Sequence, residues 1–499
     1  MNDYLFVLIV IVAVLLAVGL RRLRTVKTGA DFLVAGRSLS AAVLIFTLLS
    51  SWIGAGSLFA GAENAFHNGL ASLWQPAGGW VALIVIFFVA PRARTFAQFT
   101  VPDLLETRYG VAVRVLGMVA IILAYTAITS YQFKGGGDIL ALSTGINPVW
   151  GTALIAAFVI VFTALAGMSS IAYLDLVIGI LVTVILIVAI PLLLAHAGGW
   201  AHVKAVLPPD HFTFLGPLSI WKALAYFLPV FLLMLGNQSM YQKFFSARSA
   251  RDARRSVVGW VIGTTILETI IVVIAVIGSA LVREREQALG HAIGGFFPRE
   301  IIPYVARHGL PELMGAILMG AIFAKVISTG NNYLFSPATN IIHDIYTRFI
   351  NPRASQRRQI AVSRGVVIVL GVLAFAQTFQ QSILAVMLYA YTVYSAAITP
   401  VVMAAFFWRR ATQAAAVASV AIGTVITVAW NVFPKLAAWL PATPGWRAAV
   451  AYTQAVDAVY PAVILSILAL VGVSLLTSPP RADQLAPFCA ARAEAAASD

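Results

Sequence analysis

Leu49-Ser50-Ser51-Trp52-Ile53-Gly54-Ala55-Gly56-Ser57-Leu58-Phe59-Ala60-Gly61 lies inside an apolar run long enough to cross a bilayer, yet it sets three glycines and three serines around one tryptophan. Each glycine in a helix interior costs about 1 kcal/mol relative to alanine. A membrane helix with Gly54-Ala55-Gly56 at mid-depth is therefore disposed to open there. Backbone groups freed at that depth are tolerated only where protein covers them or where they line a cavity. Secondary transporters hold substrate and coupling ion at such broken helices. The same small residues would also serve as a packing face between helices, so the rest of the chain decides.

Of the 499 residues, 61% are hydrophobic and 10% charged, with a mean hydropathy of +0.91. Soluble domains carry about 25% charged residues. The composition is that of an all-α polytopic membrane protein and excludes a soluble enzyme. The formal charge of +14 does not point to nucleic acid, because lysines and arginines cluster in alternate loops between apolar spans, the positive-inside pattern. The single cysteine, Cys489, allows no intrachain disulfide or cysteine metal site. The seven histidines lack metal-ligand spacing. No nucleophile and base stand in a catalytic arrangement, so no enzyme activity is expected.

Apolar runs of about 20 residues cross the hydrocarbon core. Thirteen such runs fall near 3–20, 40–65, 71–91, 112–140, 147–166, 170–195, 219–240, 256–282, 309–335, 362–378, 383–407, 412–433 and 458–477. The first is too evenly apolar, without a basic lead, for a signal peptide. Basic loops follow the first, third, seventh, ninth and eleventh runs. That bias predicts an N-terminus outside and a C-terminus on the cytoplasmic side of the plasma membrane, and an odd span count agrees. The seventh run carries a second polar interruption, Leu235-Gly236-Asn237-Gln238-Ser239. Two interrupted helices in corresponding places predict an inverted-repeat transporter. Residues 1–37 then form a first span and loop, 38–196 and 197–410 two five-span repeats, 411–478 two added spans, and 479–499 a tail.

Further motifs are Ala30-Asp31-Phe32-Leu33-Val34-Ala35-Gly36-Arg37, Asn68-Gly69-Leu70, and the run from Thr100-Val101-Pro102-Asp103 to Arg108-Tyr109-Gly110. To these add Trp52-Ile53-Gly54-Ala55-Gly56, Asn237-Gln238 with Gln242-Lys243, Ile327-Ser328-Thr329 and Asp344-Ile345-Tyr346. Together they resemble the sodium:solute symporter family, which includes sugar, proline, pantothenate and choline symporters. The resemblance implies a five-plus-five (LeuT-type) core and cation-coupled symport of a small organic solute, with sodium as the coupling ion. It also implies an ion site in which backbone oxygens near Ser50 and Ile53 face residue 325 and the hydroxyls of Ser328 and Thr329. The spacing agrees, since residues 325, 328 and 329 share one helix face, although such hydroxyls often bond their own helix backbone.

Position 325 departs from the pattern: it is Lys325, where sodium-coupled relatives usually have a small residue. Two unit charges 4 Å apart repel by about 4 kcal/mol at an effective dielectric near 20. Two expectations follow. Either Lys325 is a tethered substitute for sodium, giving a proton-coupled or sodium-independent transporter, or it pairs with a buried carboxylate and leaves the ion site alone.

Ionisable residues at membrane depth are functional candidates; here they are Glu63, Lys134, Asp138, Asp175, Glu268 and Lys325. Lys134 and Asp138, four residues apart, are expected to neutralise each other. Asp175 aligns with a family aspartate whose partner glutamine is replaced by Ile178. Glu268 lacks a partner in sequence, and Lys325 or Lys134 is the expected one. Lys325, Asp175 and Glu268 are the coupling candidates. The solute is expected between Trp52, Gly54, Gly56 and the pair Asn237 and Gln238, with Trp74, Trp80 and Tyr241 as further aromatic wall. Aromatic faces suit a quaternary ammonium group, as in the choline branch that Trp52 and its glycines resemble; two nearby lysines suit a carboxylate. A solute sensor and a channel are the competing classes, disfavoured by the short tail and by the paired breaks.

Overall fold

The structure is a computed structural model that describes residues 3–23, 35–96, 100–165, 168–379, 382–437, 443–482 and 484–488. The first five residues of the Ala30–Arg37 motif, and Cys489 with the end of the tail, lie outside the described residues. Helix α1 spans Asp3–Leu23. A first broken helix follows, made of α2 (Ala41–Trp52), a wide π turn (Gly56–Gly61) and α3 (Ala62–Asn68). Then come α4 (Trp74–Phe96), α5 (Val101–Tyr109), α6 (Val111–Thr144), α7 (Pro148–Leu165) and α8 (Met168–His196). A second broken helix, α9 (Ile220–Gly236) and α10 (Gln238–Phe245), leads into α11 (Ala250–Leu289) and α12 (Glu312–Asn340). The last segments are α13 (Gln356–Ala376), the pair α14 (Ile383–Ala397) and α15 (Thr399–Phe407), α16 (Gln413–Ala437) and α17 (Val459–Leu476).

Among the described residues eleven helices are long and apolar enough to cross a membrane, with Asp3–Val14 and Ala41–Trp52 as shorter apolar helices. One of the eleven, Gly56–Arg94, is interrupted at Gly69, whose φ of +59° only glycine adopts easily. The expected second and third spans are thus the broken helix and α4.

The breaks are local consequences of sequence. Ile53 leaves helical geometry at ψ 116°, and Asn237 does the same at ψ 111°. Asn237 then caps the new helix, its Oδ1 accepting from Met240 N at 3.2 Å, the preferred use of asparagine at a helix start. Between the two breaks runs α12, buried without exception from Leu318 to Asn340. It packs on α1, α2, α6, α7 and α8. A helix enclosed on all sides would ordinarily be apolar all round; this one carries Lys325, Ser328, Thr329, Asn331, Asn332, Ser336, Thr339 and Asn340. Its polar groups therefore serve the interior. The outward faces of α7, α13 and α17 expose Leu154, Val161, Ile368, Val372 and Leu468, as a lipid-facing surface does.

Candidate ion and solute site

The carbonyls released at the first break meet the middle of α12. Thr329 Oγ1 lies 2.8 Å from Ser50 O, 2.9 Å from Ile53 O and 2.9 Å from Lys325 O, its one proton shared among them. Close approach depends on Gly54, because a Cβ there would stand 2.7–2.8 Å from the Thr329 side chain. The freed Ala55 N–H donates to Gln132 Oε1 at 2.8 Å. These freed backbone groups thus find partners, as burial requires.

Lys325 enters the same place. Its Nζ donates to Ser50 Oγ at 2.9 Å, and Ser50 Oγ donates to Asp175 O at 3.1 Å. Asp175 is fully buried and accepts from Thr47 Oγ1 at 2.5 Å, from Ser328 Oγ, and from Asn332 Nδ2 at 3.1 and 3.3 Å. Lys243 Nζ closes the network on Asn332 Oδ1 (2.8 Å) and Ser239 Oγ (3.0 Å). The buried carboxylate is thus linked to Lys243 through Asn332, and Lys325 reaches the Asp175 backbone through Ser50. The oxygen set of Ser50, Ile53, Lys325, Ser328 and Thr329 has the chemistry of an alkali-cation site, and the amine of Lys325 reaches its edge at Ser50.

The second half of the site is a layer of tyrosines. Tyr394 OH donates to Gly236 O (2.8 Å) and accepts from Gln238 N (2.9 Å). Tyr125 OH donates to Asn237 Oδ1 (2.9 Å) and accepts from Ser239 N (3.1 Å). Asn237 Nδ2 reaches Tyr333 OH at 3.3 Å. Gln238 Oε1 accepts from Val101 N at 2.5 Å, while its Nε2 is buried with no hydrogen-bond partner. Trp52 stacks on Tyr391 with ring centroids 6.2 Å apart, and Tyr391 OH lies 3.5 Å from Tyr131 OH.

Several expectations need correction. Glu268 pairs with neither Lys325 nor Lys134. It accepts from Trp52 Nε1 (2.9 Å), Trp80 Nε1 (3.0 Å) and Ser57 Oγ (3.2 Å), because α11 lies against the first broken helix and α4. Asp138, one helical turn from Lys134, is also paired with Arg299, at 3.2 Å, from the Pro298–Glu300 turn. Trp74 and Tyr241 make their ring contacts away from Trp52. Trp74 packs on Phe214 and Phe227, and Tyr241 on Phe244, Phe245 and Phe406. Loss of the partner glutamine at Ile178 leaves Asp175 fully hydrogen-bonded, since its donors come from α2 and α12.

Sequence reasoning missed Thr47, Gln132, Asn332 and the tyrosine layer. The first and third were findable by periodicity. Thr47 precedes Ser50 by three residues and Asn332 follows Ser328 by four, so each shares a face with a residue already singled out.

Two ion networks close the ends of the bundle. At the predicted cytoplasmic end Arg114 binds Asp344 at 2.5 Å and also Glu106, Thr100 Oγ1 donates to Asp344 at 2.9 Å, and Arg348 binds Glu106 at 2.8 Å. At the other end Arg299 binds Asp138 and, at 3.3 Å, Glu300. Burial pushes the Glu300 carboxyl up to about 7, Asp138 adding to the rise and Arg299 opposing it.

Two broken helices flanking a polar buried helix, closed by ion pairs at both ends, define a secondary transporter of the five-plus-five inverted-repeat type. A model of the sodium:solute symporter family matches residues 32–423, and the chain belongs to that family. It is 25% identical over 430 residues to the high-affinity proline transporter PutP of Bacillus subtilis, covering 80% of this chain and 86% of that one. It is 26% identical over 486 residues to the sodium/proline symporter of Haemophilus influenzae, covering 92% and 91%. Among solved structures it resembles the outward-open state of a Na+-coupled sialic acid symporter, with a TM-score of 0.78 at 17% identity over 96% of this chain and 99% of that one. The nucleobase-cation-symport-1 transporter Mhp1 follows the same fold at TM-score 0.58 and 14% identity, over 92% and 98%.

Proposed function

We propose that the chain is a secondary active transporter that carries a small organic solute across the plasma membrane by alternating access, with Lys325 supplying the positive charge at its cation locus. Family membership supports sodium as the coupling ion, and the curated relatives include sodium/proline symporters. The observation that carries the tethered-cation reading is the bond from Lys325 Nζ to Ser50 Oγ at 2.9 Å, beside the carbonyls that Thr329 gathers. A sodium ion there would be a third positive charge around Asp175. The second reading, sodium binding beside a Lys325 held by Asp175, is favoured by the retained oxygens of Ser50, Ile53, Ser328 and Thr329.

In this reading residues 38–196 and 197–410 are the inverted repeats, 411–478 are added spans, and the N-terminus lies outside and the C-terminus inside. The repeated broken helix at Gly54 and at Asn237 supports it. The solute lies between the breaks, walled by Trp52 and the backbone at Gly54 and Gly56, with Gln238 Nε2 as a free donor and Asn237 holding the second break open. Lys325 and Asp175 couple the break to α12.

The test is thermal stabilisation of the purified protein by a solute library, in sodium and in potassium salts. A ligand that binds only the folded state raises apparent stability by mass action. Stabilisation of equal size in both salts supports Lys325 as the cation. Stabilisation that requires sodium moves the assignment to the second reading.

A further inference from the structure

The buried carboxylates of this protein differ in one respect. Asp138 has Arg299 and Asp344 has Arg114, and Asp175, hydrogen-bonded by Thr47, Ser328 and Asn332, has Lys243 directly behind Asn332. Glu268, 5% exposed and in the middle of α11, has only neutral partners among the described residues: Trp52 Nε1, Trp80 Nε1 and Ser57 Oγ. Indole N–H groups donate and never accept. Both oxygens of Glu268 are thus met by donors, an arrangement that suits the ionised carboxylate rather than the acid. A buried charge held by hydrogen bonds but without a counter-charge is costly.

We propose that the missing counter-charge is carried by the solute, so that the transported substrate is a small organic ammonium whose nitrogen is held at Glu268. The proposal rests on the transporter reading and names its substrate class. Three further observations fit. Glu268 sits at the break itself, its Oε1 bridging Trp52 on one side of the opening and Ser57 on the other. The carboxylate also borders a cavity of about 20 Å³ lined in part by Ser57, Gly61, Ser72 and Gln75, room for a water-sized group such as a primary ammonium, which favours ethanolamine over choline among the probes. Third, Trp52, whose indole N–H meets the carboxylate, stacks on Tyr391, and aromatic rings attract ammonium groups. The lysines that would argue for an anionic solute are engaged elsewhere, Lys325 on Ser50 and Lys243 on Asn332 and Ser239.

The test compares charged and uncharged probes of one shape on the full-length protein in lipid nanodiscs. Choline, ethanolamine and proline are titrated beside 3,3-dimethylbutan-1-ol, the uncharged isostere of choline, with thermal stability as readout. The expected result is stabilisation by at least one ammonium probe and none by the isostere. Glu268→Gln is expected to weaken that binding by 100-fold or more. Asp457→Asn, which removes a carboxylate from the partly exposed pair with Lys222, is expected to leave that binding unchanged. If Glu268→Gln does not fold, the probe against its isostere on the natural sequence decides alone. Equal stabilisation by the uncharged isostere, binding of an anionic or neutral solute to the exclusion of every ammonium, or unaltered ammonium binding by Glu268→Gln overturns the proposal and leaves transport standing. Failure of solutes of every charge to bind or exchange counts against both.

Discussion

Replacing Lys325 by alanine should create a sodium site. The ammonium stands 2.9 Å from Ser50 Oγ, on the residue whose carbonyl Thr329 holds together with those of Ile53 and Lys325. A cation among these oxygens would lie about 4 Å from the ammonium, where repulsion is about 4 kcal/mol at an effective dielectric near 20. At about 1.4 kcal/mol per tenfold, removing it should raise sodium affinity roughly a thousand-fold. The substitution has its own cost. Ser50 Oγ loses the donor from Lys325, and leaving a buried polar group without its partner costs about 1–3 kcal/mol. Lys325→Ala should therefore be less stable than the natural protein in potassium and recover in sodium. At sodium 100 times its dissociation constant the recovery is about 2.7 kcal/mol. Lys325→Met, which keeps most of the stem volume, should behave alike, and Lys325→Arg, which keeps the charge, should not respond to sodium. The assay is a thermal-unfolding titration of sodium against potassium at constant ionic strength. If the natural protein gains stability from sodium as steeply as Lys325→Ala, the ammonium does not occupy the cation locus.

Other perturbations have outcomes of known sign. Gly54→Ala would push a methyl to within 2.7–2.8 Å of Thr329; an overpacking cost of about 1–3 kcal/mol is expected, read as a lowered unfolding temperature. Asp344→Asn or Arg114→Ala would break the buried pair at 2.5 Å, and the predicted cytoplasmic end should open, measured as faster labelling of a cysteine placed at Ser336 in a Cys489→Ser background. Glu300, held up at about 7 by burial, is raised above the roughly 4.3 of an unfolded glutamate. Its contribution is full below about pH 4.3 and is lost as pH rises through about 7. Thermal stability of the natural protein should fall across that window more than that of Glu300→Gln, and identical profiles would rule the contribution out.

The spans were legible because about 20 apolar residues have few other uses, and both breaks because Gly54, Gly56 and the Gly236-Asn237-Gln238 run interrupt otherwise apolar helices. The face shared by Lys325, Ser328 and Thr329 follows from helical spacing alone. What lies opposite that face does not. The donors to Asp175 come from α2 and α12, and Glu268 meets Trp80 across the α11–α4 packing. These pairings depend on helix register across the bundle, which no local pattern encodes. For that reason the sequence shows Lys134 one turn from Asp138 but not the loop arginine, more than a hundred residues away, that also reaches it. The tyrosine layer was invisible for a related reason: its members lie on α6, α12 and α14, and only their hydroxyls, turned to the second break, give them a role.

The central claim is a carrier whose cation locus is filled by its own lysine. Solute counterflow into proteoliposomes tests it most directly, using the ligand found by stabilisation, with sodium on both sides and then with potassium alone. Saturable exchange at equal rate in the two salts is the predicted result. Exchange that collapses without sodium, with a normal sodium dependence in the natural protein, would contradict it.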